Sequence, residues 1–272
     1  MTPAERAIAV AFAQKNCELE AMTPSDQTRR AADDYIAGNA DVLRLVTVAD
    51  SSPHDAASCV FARTVLLAER GWNPTGDLGE LSAIHRALFD GVYDDAGQLR
   101  TKDVKDRSID SRGVKDHSAQ RVLAADTRSD GTVADAGEPA RDTDPEAFFP
   151  AVLIDTGAMN ISTELNDKHN LHNLDRDVFV RELAKIYDEL GYLHPFKGGN
   201  AMVLRIFASR LAHDAGWDLD WGTVTRQAYK QAKHKAYTGD VCGFEQLFGA
   251  IIRPANPTRV FLFAGWDQGP AH

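Results

Sequence analysis

The run His194-Pro-Phe-Lys-Gly-Gly-Asn-Ala-Met-Val-Leu-Arg205 gathers a histidine, a lysine, an asparagine and an arginine around two adjacent glycines. Pro195 denies His194 an easy helical conformation. Gly198 and Gly199 permit close turns, and Asn200 is a natural residue to begin a helix. A loop of this kind presents backbone N–H groups at a helix N-terminus, where the dipole favours an anion. Arg205, about one and a half turns into that helix, could fold back to a bound phosphate, and His194 on the rim could accept a proton near neutral pH. These residues point to anion binding beside a poised base; a plain turn between two packed helices is the alternative reading.

The elements that must position this loop read as helices. Residues 175–190 form an amphipathic pattern with Phe179, Leu183, Ile186 and Leu190 at helical spacing, and residues 203–215, closed by Gly216, follow the loop. At the start, Thr2-Pro3-Ala4-Glu5 combines an N-cap, a first-turn proline and a capping-box glutamate, with Ile8, Phe12 and Leu19 on the apolar face. Thr23-Pro24-Ser25 restarts a second helix that ends near Gly38, whereas residues 42–48 are too short to assign. Further helices are predicted over 55–70, 78–89, from Thr143-Asp-Pro-Glu146 through Phe149 and Leu153, over 223–237 and over 244–252. Residues 259–263 read as a terminal strand or a helix end. The fold class is mainly α, with eight or nine helices. Between Thr101 and Asp144 no period of 2 or 3.6 persists, and an excursion of that length is functional or disordered. The division expected is a helical N-terminal extension (1–76), a core (77–252) carrying the insertion 101–144, and a C-terminal tail (253–272).

The 272 residues carry 30 Lys and Arg against 40 Asp and Glu, a formal charge of −10, so gripping a nucleic-acid backbone is disfavoured and no DNA partner is expected. A local basic pocket for a small phosphate ligand stays open. Cys17, Cys59 and Cys242 are widely spaced, suggesting small buried thiols in a reducing compartment rather than a disulfide framework. No apolar run approaches the ~18 residues that span a bilayer, and no signal arrangement opens the chain. The expectation is therefore no membrane partner and a cytoplasmic location by default, with signal-independent secretion open. His169 and His172, three apart, read as part of a polar connection rather than a metal site, and His85 as a satisfied core or edge histidine. Lys230, Lys233, His234 and Lys235 read as a solvated helix face.

The loop resembles the Fic/Doc signature, written HPF-x-[D/E]-G-N-[G/K]-R-x-x-R. The likeness extends over residues 179–193 and 206–221, including Gly216-Trp-Asp-Leu-Asp-Trp221. It reaches upstream to residues 84–100, similar to the family's segment ending in A-G-x-x-R. The resemblance implies a Fic-like helical core from about Leu78 to Ile252 and, for most studied members, transfer of AMP from ATP to a hydroxyl of a target protein. It would make His194 the general base, Phe196 the loop's anchor, Gly198, Gly199, Asn200 and Ala201 the phosphate cradle, and Arg205 the second of two arginines. Lys197 and Arg100 are possible further contributors, Arg100 either reaching the site or held in a salt bridge.

Three positions depart from that pattern. Gly198 replaces the acidic residue that holds Mg²⁺ against the phosphates, Ala201 replaces Gly or Lys, and Met202 replaces the first arginine. The cofactor is therefore unknown, with Mg²⁺ possible but lacking its usual ligand. The resemblance then implies a divergent transferase that moves part of a nucleotide or similar phosphate-containing donor to a hydroxyl acceptor. A catalytically inactive binding or regulatory module is the alternative. Residues 101–144 occupy the place of the family's target-docking flap, either as an altered recognition element or as a surface insertion. The family's inhibitory helix carries [S/T]-x-x-x-E-[G/N], which finds no match, so autoinhibition in that form is not expected. A target protein or a separate inhibitory protein are possible partners.

Overall fold

The computed structural model describes residues 1–51, 55–104 and 148–255. Among these the chain forms ten α-helices and one two-stranded ribbon. Helix α1 (Pro3–Leu19) starts with the expected capping box: Thr2 Oγ1 accepts from the Glu5 N–H and Glu5 Oε2 from the Thr2 N–H. Helix α2 (Asp26–Ala37) starts on Ser25 and stops at Gly38, which adopts the left-handed φ of 79°. The stretch too short to assign is α3 (Val42–Asp50), capped by Asp41. A helix of that length is marginal alone and is held by burying Val42, Leu45 and Ala49. Helices α4 (Ala56–Arg70) and α5 (Leu78–Phe89) follow, with Asp55 and Asp77 as N-caps.

The helix start expected at Thr143–Glu146 lies outside the described residues, as do nearly all of the insertion and residues 259–263. The expectation that this helix runs through Phe149 and Leu153 is corrected. Residues 148–150 are irregular, Ala151–Leu153 is a 3₁₀ turn, and α6 spans Ile154–Asp167. Pro150 disfavours the α conformation at Phe149, whose N–H goes instead to Tyr192 O at 3.0 Å.

Helix α7 (Arg176–Leu193) leads into the glycine loop and α8 (Asn200–Asp214) leaves it. Strand β1 (Trp217–Leu219), α9 (Arg226–Tyr237), α10 (Cys242–Ile251) and β2 (Ile252–Pro254) complete the order. The strands pair antiparallel, Leu219 opposite Ile252 and Trp217 opposite Pro254, a ribbon too short for any sequence period to reveal. Twelve of the fifteen residues of α8 are buried, including Arg205 and Arg210, so this helix is the centre of the molecule. It packs on α7 and α5, while α1 lies against α4, α8 and α9. A buried fork joins α5 to α8: Arg210 Nε donates to Glu80 Oε1 at 2.9 Å and Nη2 to Oε2 at 2.5 Å. Glu80 also accepts from Trp72 Nε1 and the Gly76 N–H, both at 2.8 Å. Cys17 is buried, and burial pushes its thiol up to about 12, whereas Cys242 is exposed, contrary to the expectation of uniformly buried thiols.

Candidate functional site

His194 ends α7 in the left-handed conformation, φ 45°, a geometry a non-glycine residue keeps only when its surroundings fix it. Arg100 does the fixing. Its side chain is buried, and Nε donates to His194 O at 2.7 Å, Nη1 to Lys102 O at 3.0 Å, and Nη2 to Leu193 O at 3.3 Å and to Phe149 O. Its own N–H goes to Pro195 O at 2.9 Å. Arg100 thus satisfies carbonyls at the C-terminus of α7, where a cation also meets the helix dipole. The structure places it as the fastening of the loop.

The turn itself closes on Asn200, whose Oδ1 accepts from the Phe196 N–H at 3.0 Å while Nδ2 donates to Phe196 O at 2.8 Å. Phe196 is fully buried and stacks on His85, ring centroids 4.0 Å apart. His85 accepts at Nδ1 from the Gly97 N–H (2.8 Å), so its proton resides on Nε2, which donates to Gly198 O at 3.1 Å. Burial lowers its pKa, against the bond to Gly198 and the charge of Asp95, which raise it. Gly199 caps α8 at φ 74°, and a β-carbon there would stand 2.3 Å from the Phe89 ring, so both backbone and space demand glycine. Among the described residues no side chain caps α8, and Ala201 is half-buried in its first turn. Lys197 is exposed and ion-paired with Asp95.

Arg205 is buried and does not reach out to solvent. Its Nε donates to Asn16 Oδ1 at 2.6 Å, and Nη2 to Asn16 O at 3.2 Å and Glu20 Oε1 at 2.9 Å. The guanidinium lies over the Tyr229 ring at 4.9 Å. Among the described residues Nη1 has no hydrogen-bond partner, an orphaned donor in a buried cation. Met202, in the place of the first arginine, is buried, and its carbonyl accepts from Asn16 Nδ2 at 3.4 Å. Phe148 stacks on the His194 imidazole, centroids 3.7 Å apart and nearly parallel, and its N–H donates to Val104 O at 3.2 Å. His194 and Arg205 thus flank one fastened loop, each covered by a second element, Phe148 over the histidine and α1 against the arginine.

The model of the Fic/DOC family matches residues 76–212, half of the chain, and that span contains α5, the loop and most of α8. The chain belongs to the Fic/DOC family. Among the relatives of this Fic chain is the probable protein adenylyltransferase Fic of Escherichia coli K12. It is 26% identical over 182 residues, covering 67% of the chain and 72% of the relative. The protein adenylyltransferase VbhT of Bartonella schoenbuchensis is 28% identical over 214 residues, 78% of the chain but only 36% of VbhT. Of solved structures, the type IV secretion system effector protein BepA superposes with a TM-score of 0.56 at 26% identity, covering 75% of the chain and 62% of BepA. BepC of Bartonella tribocorum, solved with AMPPNP, gives 0.55 at 21% identity over 72% of the chain and 84% of BepC.

Seen as a Fic core, three participants escaped the sequence. His85 holds the loop at Gly198 rather than filling the core alone. Tyr93 lies against Gly198. The N-terminal helix supplies Asn16 and, at its C-cap, Glu20. Asn16-x-x-x-Glu20-Ala21 has the spacing of the inhibitory pattern with its first and last residue types changed. Ala21 adopts the left-handed φ of 58° that the pattern's Gly or Asn would favour. A search by spacing around an acid, rather than by residue type, would have found it. The Mg²⁺ associated with the family does not fit the residues present: Gly198 offers no side-chain ligand, and its carbonyl is taken by His85. Among the described residues no group of three His, Cys, Asp or Glu is placed to hold a metal.

Proposed function

We propose that the chain is a divergent Fic-type transferase that moves part of a phosphate-containing donor, a nucleotide or a close analogue, to a hydroxyl acceptor. The observation that carries this reading is the loop. It is fastened at both ends by Arg100 and Asn200, leads into the side-chain-uncapped start of α8, and has a base at its entrance. Phosphoryl chemistry asks for positioning and charge stabilisation more than covalent help, and a rigid cradle supplies both. In the step proposed, the acceptor oxygen attacks phosphorus, the bond from phosphorus to the leaving phosphate oxygen breaks, and His194 takes the hydroxyl proton. The N–H groups around Gly199 and Ala201 meet the phosphate oxygens, and Arg205 Nη1, buried against α1, becomes a further donor once that cover yields. The adenylyltransferase relatives and the nucleotide-bound BepC support a nucleotide as the donor.

Glu20 gives the same site a restraint: while it holds Arg205 Nη2, one donor of the guanidinium is withheld from a phosphate. A second reading, a nucleotide- or protein-binding module without turnover, is favoured by Phe148 stacked on His194 and by the loss of the first arginine at Met202. One experiment separates them. The purified chain is incubated with a panel of nucleotides and nucleotide conjugates, with and without Mg²⁺, and adducts are followed by intact mass. Adducts or donor consumption that vanish in His194→Ala while the melting curve is retained support the transferase. Donor binding with no turnover in either protein supports the module.

A further inference from the structure

The position where the family carries its acidic metal ligand is not simply empty. Gly198 has no left-handed φ, so its backbone does not require glycine. What stands there is Tyr93: a β-carbon on Gly198 would lie 3.3 Å from the Tyr93 hydroxyl oxygen and 3.6 Å from its ring carbons. Tyr93 is held in that place by stacking on Phe89, centroids 4.7 Å apart and interplanar angle 11°. Phe89 is in turn the residue that packs against Gly199. The ring and the two glycines therefore form one fitted surface. Beside it, Lys197 carries an ammonium on an exposed, flexible stem, ion-paired with Asp95 from the same turn as Tyr93. A hydroxyl thus occupies the ground on which a carboxylate would sit, with an exposed cation on the residue before it.

We propose that this site binds its phosphate-bearing ligand without a divalent cation, the Tyr93 hydroxyl donating to a phosphate oxygen and Lys197 exchanging Asp95 for the phosphate charge. The proposal rests on the anion-loop reading given above. An ammonium and a phenol O–H both donate to a bare phosphate oxygen, and the ammonium repels a metal ion, whereas a carboxylate does the reverse. The ion pair with Asp95 keeps the lysine near the loop when no ligand is present, at little cost to its release because both groups are solvent-accessible.

The test is calorimetric titration of the full chain with ATP and with ADP, in excess Mg²⁺ and in excess EDTA. Affinities that agree within about threefold between the two buffers, with Lys197→Ala weakening both by about tenfold and Tyr93→Phe by several-fold, are the expected result. Lys197→Arg should recover most of the loss. The reciprocal variant, Tyr93→Ala with Gly198→Asp, clears the ring and restores an acid, and should bind ATP measurably only with Mg²⁺. Wild-type binding that demands Mg²⁺, or affinity indifferent to Lys197→Ala, overturns the metal-free assignment while leaving the anion loop standing. No binding of either nucleotide in either buffer, by wild type or by Glu20→Gly, overturns the anion-loop reading and this proposal with it.

Discussion

Gly199 and His85 show how little freedom the loop has at the level of single residues. Gly199→Ala forces a left-handed φ on a residue with a β-carbon and drives that carbon into the Phe89 ring. The two penalties together should cost about 3 kcal/mol, read as a lowered urea midpoint at unchanged slope. His85 serves only when neutral, since its Nδ1 must accept from Gly97 while Nε2 donates to Gly198. Burial sets its folded pKa below the unfolded value of about 6.5, so the unfolded chain binds the proton first as pH falls. The stability it contributes is whole above about pH 6.5 and is lost as pH drops through the lower folded value. Denaturation measured at pH 8 and pH 5 should show the wild type losing more stability over that interval than His85→Gln. Equal losses would mean that another group carries the acid sensitivity. The sequence put His85 on an apolar helix face and stopped there, because the partner that gives it a role, Gly198 O, is 113 positions away.

Among the elements, α5, α7 and α8 form the frame, and their legibility followed the strength of local chemistry. Helix α5 has the bounds expected for it, and the structure adds Asp77 as its cap. Helix α7 runs three residues past the expected Leu190 because Arg100, from a distant turn, satisfies carbonyls at its end. Helix α8 is buried on nearly every side, so its amphipathic signal is weak and its pattern is legible only from residue 203, although Asn200 marks the start. Sequence pattern could not foretell the fork of Arg210 on Glu80, which locks α5 to α8 across 130 positions. Glu80 is wholly buried and accepts four donors, so Glu80→Ala strips Arg210 of its buried partner and leaves it only the partly exposed Asp214 at Nη1. The cost should be about 3–5 kcal/mol by chemical denaturation, with nucleotide binding lost only when the fold is lost. A variant that melts normally yet binds no nucleotide would instead place Glu80 in the ligand site.

For the whole molecule, the decisive feature is that the hydrophobic core does not stop at the edge of the family match. Ala9, Ala13, Cys17 and Leu19 of α1 belong to the same buried cluster as Phe196, Ile206 and Phe207 around the loop. Helix α1 is therefore both a wall of the core and, through Glu20, a restraint on Arg205. The two roles predict opposite outcomes from two ways of removing the restraint. Deleting residues 1–22 strips the wall, exposing apolar surface and the buried Arg205, and should abolish cooperative unfolding; a restraint docked on an independent core would leave it intact. Glu20→Gly removes only the carboxylate: Asn16 still accepts two hydrogen bonds from Arg205, so unfolding should stay cooperative, at a lowered melting temperature because the buried guanidinium loses its ion pair. The guanidinium donor released at Nη2 should then tighten ATP binding by about tenfold, and any transfer activity should rise with it. A truncated protein that stays folded would show that the extension is a detachable regulator. A Glu20→Gly protein with unchanged affinity would show that its contact with Arg205 is architecture alone.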